Sequence, residues 1–119
     1  MLLNLSNHPS VFWSDEQKNA AVEFGEIVDL SFPDVDPNGS EAYIDNLADD
    51  YLQKILDFAA RQKVTVHVMG EMNFTVAIVR RLHANNIVCI ASTTKRIVDE
   101  TPDGIKHTRF IFQQFRNYE

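Results

Sequence analysis

Apolar positions along this chain recur with a period that switches between two and about 3.6, and each switch marks the border of an element. Leu2, Leu3 and Leu5 run into Ser6-Asn7-His8-Pro9-Ser10, which predicts a short first strand ending in a polar loop that Pro9 breaks. Ser14 and Gln17 have the spacing of a capping box, so a first helix is expected from about Asp15 to Phe24, stopped by Gly25. Glu26 to Phe32 reads as the second strand, closed by the turn-forming PDVDPNG. Ser40 then caps a longer helix to about Gln62, because Ile44, Leu47, Tyr51, Ile55 and Phe58 fall on one helical stripe.

In the third strand, Val64, Val66 and Val68 alternate with Thr65, His67 and Met69. Gly70 to Asn73 is the expected turn into a third helix from about Phe74 to Ala84. Ile87 to Ala91 is the fourth strand, with Ser92 to Arg96 expected as the loop that leaves it. Thr101-Pro102-Asp103-Gly104 is a turn signal between Ile97-Val98 and the alternating HTRFIFQQF, so the tail predicts an antiparallel hairpin. The order β-α-β-α-β-α-β plus hairpin implies an α/β fold: a doubly wound, Rossmann-like, mainly parallel sheet with a C-terminal antiparallel hairpin.

Composition narrows this picture. At 119 residues the chain is expected to form a single domain over 1–119, and 45% hydrophobic residues suffice for a layered core. No apolar run approaches the about 18 residues of a membrane span. The start MLLNLSNHPS lacks the basic and apolar regions of a signal peptide, so no membrane association and a cytoplasmic location are the expectations. Cys89 is the single cysteine, in an apolar run, which leaves no internal disulfide. A formal net charge of -6 argues against duplex nucleic acid as a partner, although a small anion held by local cations and amides stays open.

Loops at the carboxyl ends of parallel strands surround the ligand crevice of such a sheet. Three should meet there: Ser6 to Ser10, Gly70 to Thr75, and Ser92 to Arg96. Gly70 permits close backbone approach, while Asn73 and Thr75 fall where a helix offers unpaired amides; equally, Gly70 could make only the turn and Asn73 only the cap. Ser92, Thr93, Thr94, Lys95 and Arg96 combine three hydroxyls with two cations, a set suited to phosphate oxygens, or alternatively to a solvated strand edge.

Among the histidines, His8 stands beside Ser6 and Asn7 and could carry protons near neutral pH, or be polar surface. His67, inside a strand, fits a hydrogen-bonded structural role better than catalysis. Glu71 could act as a base, orient a ligand hydroxyl, or favour the helix start by its charge. The four histidines lack metal-ligand spacing, and Asp34 with Asp36 reads as a solvated turn, so no metal site and no cofactor are expected. Walker A, GxGxxG and GxSxG patterns are missing, which disfavours ordinary P-loop or dinucleotide binding and a nucleophile elbow.

The SNHPS loop after a short first strand, the glycine turn in VHVMGEMNFT and the ASTTKR segment together resemble the small CRISPR-associated Rossmann-like, or CARF-like, proteins, including stand-alone ring nucleases. The resemblance implies a homodimer that binds a cyclic oligoadenylate between paired carboxyl-edge loops. It also implies cleavage without metal, by attack of a ribose 2′-hydroxyl on the adjacent phosphate. Carried onto this chain, Ser6, Asn7, Gly70, Glu71, Asn73 and Thr75 would shape the pocket. Ser92, Thr93 and Thr94 with Lys95 or Arg96 would stabilise phosphate charge, and His8 would transfer protons. Acidic Glu71 departs from what an anion site prefers. Two other classes stay in view: a non-catalytic nucleotide sensor or protein-interaction module using Phe110, Phe112 and Phe115, and a small nucleotide-dependent enzyme.

Overall fold

The computed structural model describes residues 1–119. Eight principal elements follow one another: β1 (Leu2–Ser6), α1 (Asp15–Ala21), β2 (Ile27–Ser31), α2 (Glu41–Ala59), β3 (Thr65–Met69), α3 (Met72–Ala84), β4 (Val88–Glu100) and β5 (Lys106–Asn117). They build one sheet in the order β2-β1-β3-β4-β5, in which β5 alone runs antiparallel to its neighbour. The expected α/β architecture with a parallel body and a C-terminal hairpin is therefore the observed one. From β1 the chain passes to β2 on one side and later to β3 on the other, so the winding reverses between β1 and β3. A crevice opens at such a switch point, beyond the carboxyl ends of the two strands.

Strand periodicity sorts the side chains onto two faces. Leu3, Leu5, Val66, Val68 and Cys89 point to the face covered by α2 and α3, where they pack against Ala48, Ile55, Phe74, Ile78 and Leu82. Leu2 and Ile90 point the other way, onto Trp13 and Ala21 from the α1 segment, with Phe24 and Phe115 at the border. Arg81 ties the two covering helices together, its Nε donating to Asp49 at 2.8 Å and its Nη2 to Asp45 at 3.2 Å.

Several borders differ from the sequence expectation, each for a local reason. α1 stops at Ala21 and tightens into a 3-10 turn, Val22–Phe24, before Gly25 reverses the chain at φ 90°. α2 ends at Ala59, three residues short of Gln62. α3 begins at Met72, two residues early, because the Glu71 carboxylate accepts from the Asn73 amide at 2.6 Å and the Phe74 amide at 3.0 Å. Glu71, not Asn73, is thus the cap of α3.

The largest correction concerns Ser92 to Arg96, which is not a loop. These residues continue β4, paired with β5 from Ser92↔Phe115 to Arg96↔Phe110 around a bulge at Thr93/Thr94. Hydroxyl-bearing and cationic residues are compatible with a strand whose flanks are solvent and a pocket rather than a core. The hairpin that results has strands of 13 and 12 residues, against five in each of β1, β2 and β3, and reaches well past the sheet body. Its turn is closed by the Thr101 amide on the Ile105 carbonyl at 2.8 Å, with Gly104 at φ 85°.

Candidate functional site

On the α1 face of the sheet the parallel strands carry a connected row of polar side chains. The register sets Asp29 of β2 beside Asn4 of β1, and Asn4 beside His67 of β3; Ser92 of β4 lies one step further out. Asn4 Nδ2 donates to Asp29 Oδ1 at 2.8 Å and to the His8 carbonyl at 2.9 Å. Asn4 Oδ1 accepts from Ser6 Oγ at 2.7 Å and lies 2.9 Å from His67 Nδ1. His67 Nε2 is 2.7 Å from Ser92 Oγ, which also accepts from Gln17 Nε2 at 3.0 Å.

These partners decide where the protons are. Asp29 Oδ1 and the His8 carbonyl can only accept, so the amide of Asn4 must face them with its nitrogen, leaving Oδ1 toward His67. His67 must then carry its proton on Nδ1, and its bare Nε2 accepts from the Ser92 hydroxyl. Neutral His67 fits its surroundings. It is buried, with Trp13 and Phe115 edge-on at 5.3 and 5.6 Å, and burial foremost, with a repulsive contribution from His8, pulls it down to about 4. Trp13 is itself anchored by Nε1 donating to the His8 carbonyl at 3.1 Å. At Asp29 burial raises the carboxyl, but bonds from the Asn4 side chain and from the Ser10 amide and hydroxyl outweigh it, and the group lies below its usual range.

The row ends in a cavity of about 860 Å³ at the carboxyl edge of β1 and β3, walled on the far side by the hairpin. Of the residues singled out from sequence, Ser6, Asn7, His8, Gly70, Ser92 and Thr94 line it together. Gly70 is needed there, since a Cβ would run into the Phe32 ring. Arg96 is not a lining residue, but its pairing with Phe110 puts it on the face that Phe110 and Phe112 turn to the cavity, one step outward from Thr94. Lys95 and Thr93 alternate to the opposite face, and the Thr93 hydroxyl donates to the Gln114 carbonyl at 3.1 Å.

Glu71, Asn73 and Thr75 lie outside the cavity. The Asn73 and Phe74 amides are occupied by the Glu71 carboxylate, which those bonds hold below its usual range, so they are not free for an anion. Asn73 opens instead onto a groove between α2 and α3, beside Ser40 and Arg81. The Thr75 hydroxyl is buried without a hydrogen-bond partner.

Sequence reasoning found His67 as a hydrogen-bonded strand histidine but missed Asn4, Gln17 and Asp29. The one signal for Asn4 was a carboxamide in the middle of an apolar strand, LLNLS, where a buried polar group demands partners. Gln17 has the spacing of a capping box with Ser14. The Ser14 hydroxyl does accept from the Gln17 amide, at 3.2 Å, but the Gln17 side chain turns across the sheet to Ser92.

Fold and site together define a Rossmann-like α/β protein with a carboxyl-edge pocket, polar at its floor and aromatic along its hairpin wall. Within that class the chain belongs to the Uncharacterized protein MJ1673 family, whose model matches residues 1–116. No curated protein and no solved structure matches it. None of its helices is long and apolar enough to cross a membrane.

Proposed function

We propose that the carboxyl-edge pocket binds a nucleotide of the cyclic oligoadenylate class, and that a homodimer opens the ring without metal through attack of a ribose 2′-hydroxyl. The observation that carries this reading is the convergence of Ser6, Asn7, His8, Gly70, Ser92 and Thr94 on one cavity. Phe12, Phe110 and Phe112 on its walls offer faces for adenine stacking, and Arg96 stands outward on the same face for phosphate. His8 is within the cavity for proton transfer to the leaving oxygen.

Incubation of the protein with cyclic tetra-adenylate and cyclic hexa-adenylate, with and without chelator, tests the reading. Binding and a linear product bearing a cyclic phosphate end are expected in both conditions; no binding and no product with either ring would refute it. The exposed Phe110, Ile105 and Val98 on the hairpin favour a second reading, a sensor that binds the nucleotide and signals through a protein contact. Tight binding with intact ligand after long incubation selects it.

A further inference from the structure

We infer that Ser92 is the group that takes the proton from the ligand's attacking hydroxyl, relaying it to His67. This rests on the proposed cleavage reading and assigns a role that differs from holding phosphate.

Hydrogen-bond polarity at Ser92 sets this role. A serine hydroxyl has one proton and two lone pairs. At Ser92 the proton is committed to His67 Nε2 at 2.7 Å, because the Asn4 amide forces the His67 proton onto Nδ1. One lone pair is taken by Gln17 Nε2 at 3.0 Å. What Ser92 still offers the cavity is a single acceptor site. An acceptor site repels a phosphate oxygen and suits a ligand O–H, such as a ribose 2′-hydroxyl.

His67 borders the cavity but is only 2% exposed, and both its ring nitrogens are bonded within the protein, so neither is free for a ligand. Ser92 is half-buried and lines the cavity. The path from ligand to base therefore runs through the serine, and Asn4 is a positioning residue that fixes the imidazole tautomer.

The 2′-hydroxyl proton moves to Ser92 Oγ while the Ser92 proton moves to His67 Nε2. The freed 2′-oxygen pair bonds to the adjacent phosphorus, and the bond from phosphorus to the 5′-oxygen breaks. The 5′-oxygen leaves with its electron pair and takes a proton from His8, which lines the cavity; afterwards His67 gives up its proton through Ser92 to solvent, and His8 regains one from solvent. The products are a 2′,3′-cyclic phosphate and a 5′-hydroxyl, with no water consumed.

The test compares wild type, Ser92→Ala, Ser92→Thr and His67→Gln, each checked for folding by thermal melting, with cyclic tetra-adenylate and cyclic hexa-adenylate as probes. Ser92→Ala and His67→Gln should bind the probe within about threefold of wild type and cleave it at least about 100-fold more slowly. Ser92→Thr, which keeps a hydroxyl, should recover most of the rate.

Wild-type cleavage should fall as pH drops through about 4, where His67 takes a proton. The titratable groups that act on that imidazole or share its cavity or hydrogen-bond row are His8 after β1, Glu16 of α1 and, behind Asn4, Asp29 of β2, while β5 presents Phe115. Cleavage that survives in Ser92→Ala overturns the relay and leaves the cleavage reading standing. Binding without cleavage in wild type overturns the relay and the cleavage reading together and leaves the sensor reading, and no binding by any protein overturns nucleotide binding as well.

Discussion

A proton added to His67 inside the fold would sit between the Trp13 and Phe115 edges, away from water, while the same histidine in the unfolded chain protonates near 6.5. The folded value is the lower one, about 4, so between these two pH values the unfolded state binds more protons. Stability is then fully present above the unfolded value and is lost as pH falls toward the folded one. The gap corresponds to about 3 kcal/mol across that window. Urea denaturation at steps from pH 7 to pH 4 should show this slope in wild type and a shallower one in His67→Gln; equal slopes would place the acid sensitivity elsewhere. Cys89 gives a second residue-scale expectation. Burial pushes its thiol up to about 12, so a thiol reagent should label it only after denaturant is added.

At the scale of elements, Glu71 is explained by the start of α3. Replacing it with alanine should cost about 1 kcal/mol in chemical denaturation and leave nucleotide affinity unchanged, because its carboxylate serves two helix amides and no cavity wall. The lowered carboxyl value means this stabilisation is present above the ordinary glutamate range and lost as pH falls through the lowered one. β4 gives the complementary test. Strand alternation puts Arg96 on the cavity face and Lys95 on the other, so Arg96→Ala should weaken cyclic oligoadenylate binding about tenfold while Lys95→Ala leaves it within twofold. Calorimetric titration decides, and the reverse order would mean that the ligand lies on the outer face of the hairpin.

The whole molecule is longer than a compact chain of its size. Its radius of gyration is 16.1 Å, where about 13.5 Å is usual for this length, and the excess comes from the hairpin. That arm exposes Phe110 and, on the same strand face, Val98, with Ile105 by its turn, an apolar strip that a second copy would cover in the proposed homodimer. Analytical ultracentrifugation should give twice the 13.6 kDa chain mass, and Phe110→Asp should shift the population to monomer. A monomeric wild type at high concentration would remove the dimer from the reading.

Much of this was legible along the chain. Helical stripes, the serine caps at Ser14 and Ser40, the valine alternation of β3 and the turn at Thr101 to Gly104 are governed by contacts a few residues apart, which local sequence carries. The loop expected at Ser92 to Arg96 failed because polar residues there satisfy a strand whose partner, β5, supplies the other half of the ladder. The site was half legible for the same reason. SNHPS, Gly70 and Ser92 announced themselves as polar or small residues at strand ends. The row from Asp29 through Asn4 and His67 to Ser92 joins residues up to 63 positions apart that only the parallel register brings side by side. Sequence alone thus determined most of the elements, their order and the sheet edge at which the polar strand ends gather. Tertiary structure decided which side chains share a proton, because hydrogen-bond direction depends on every partner in the row at once.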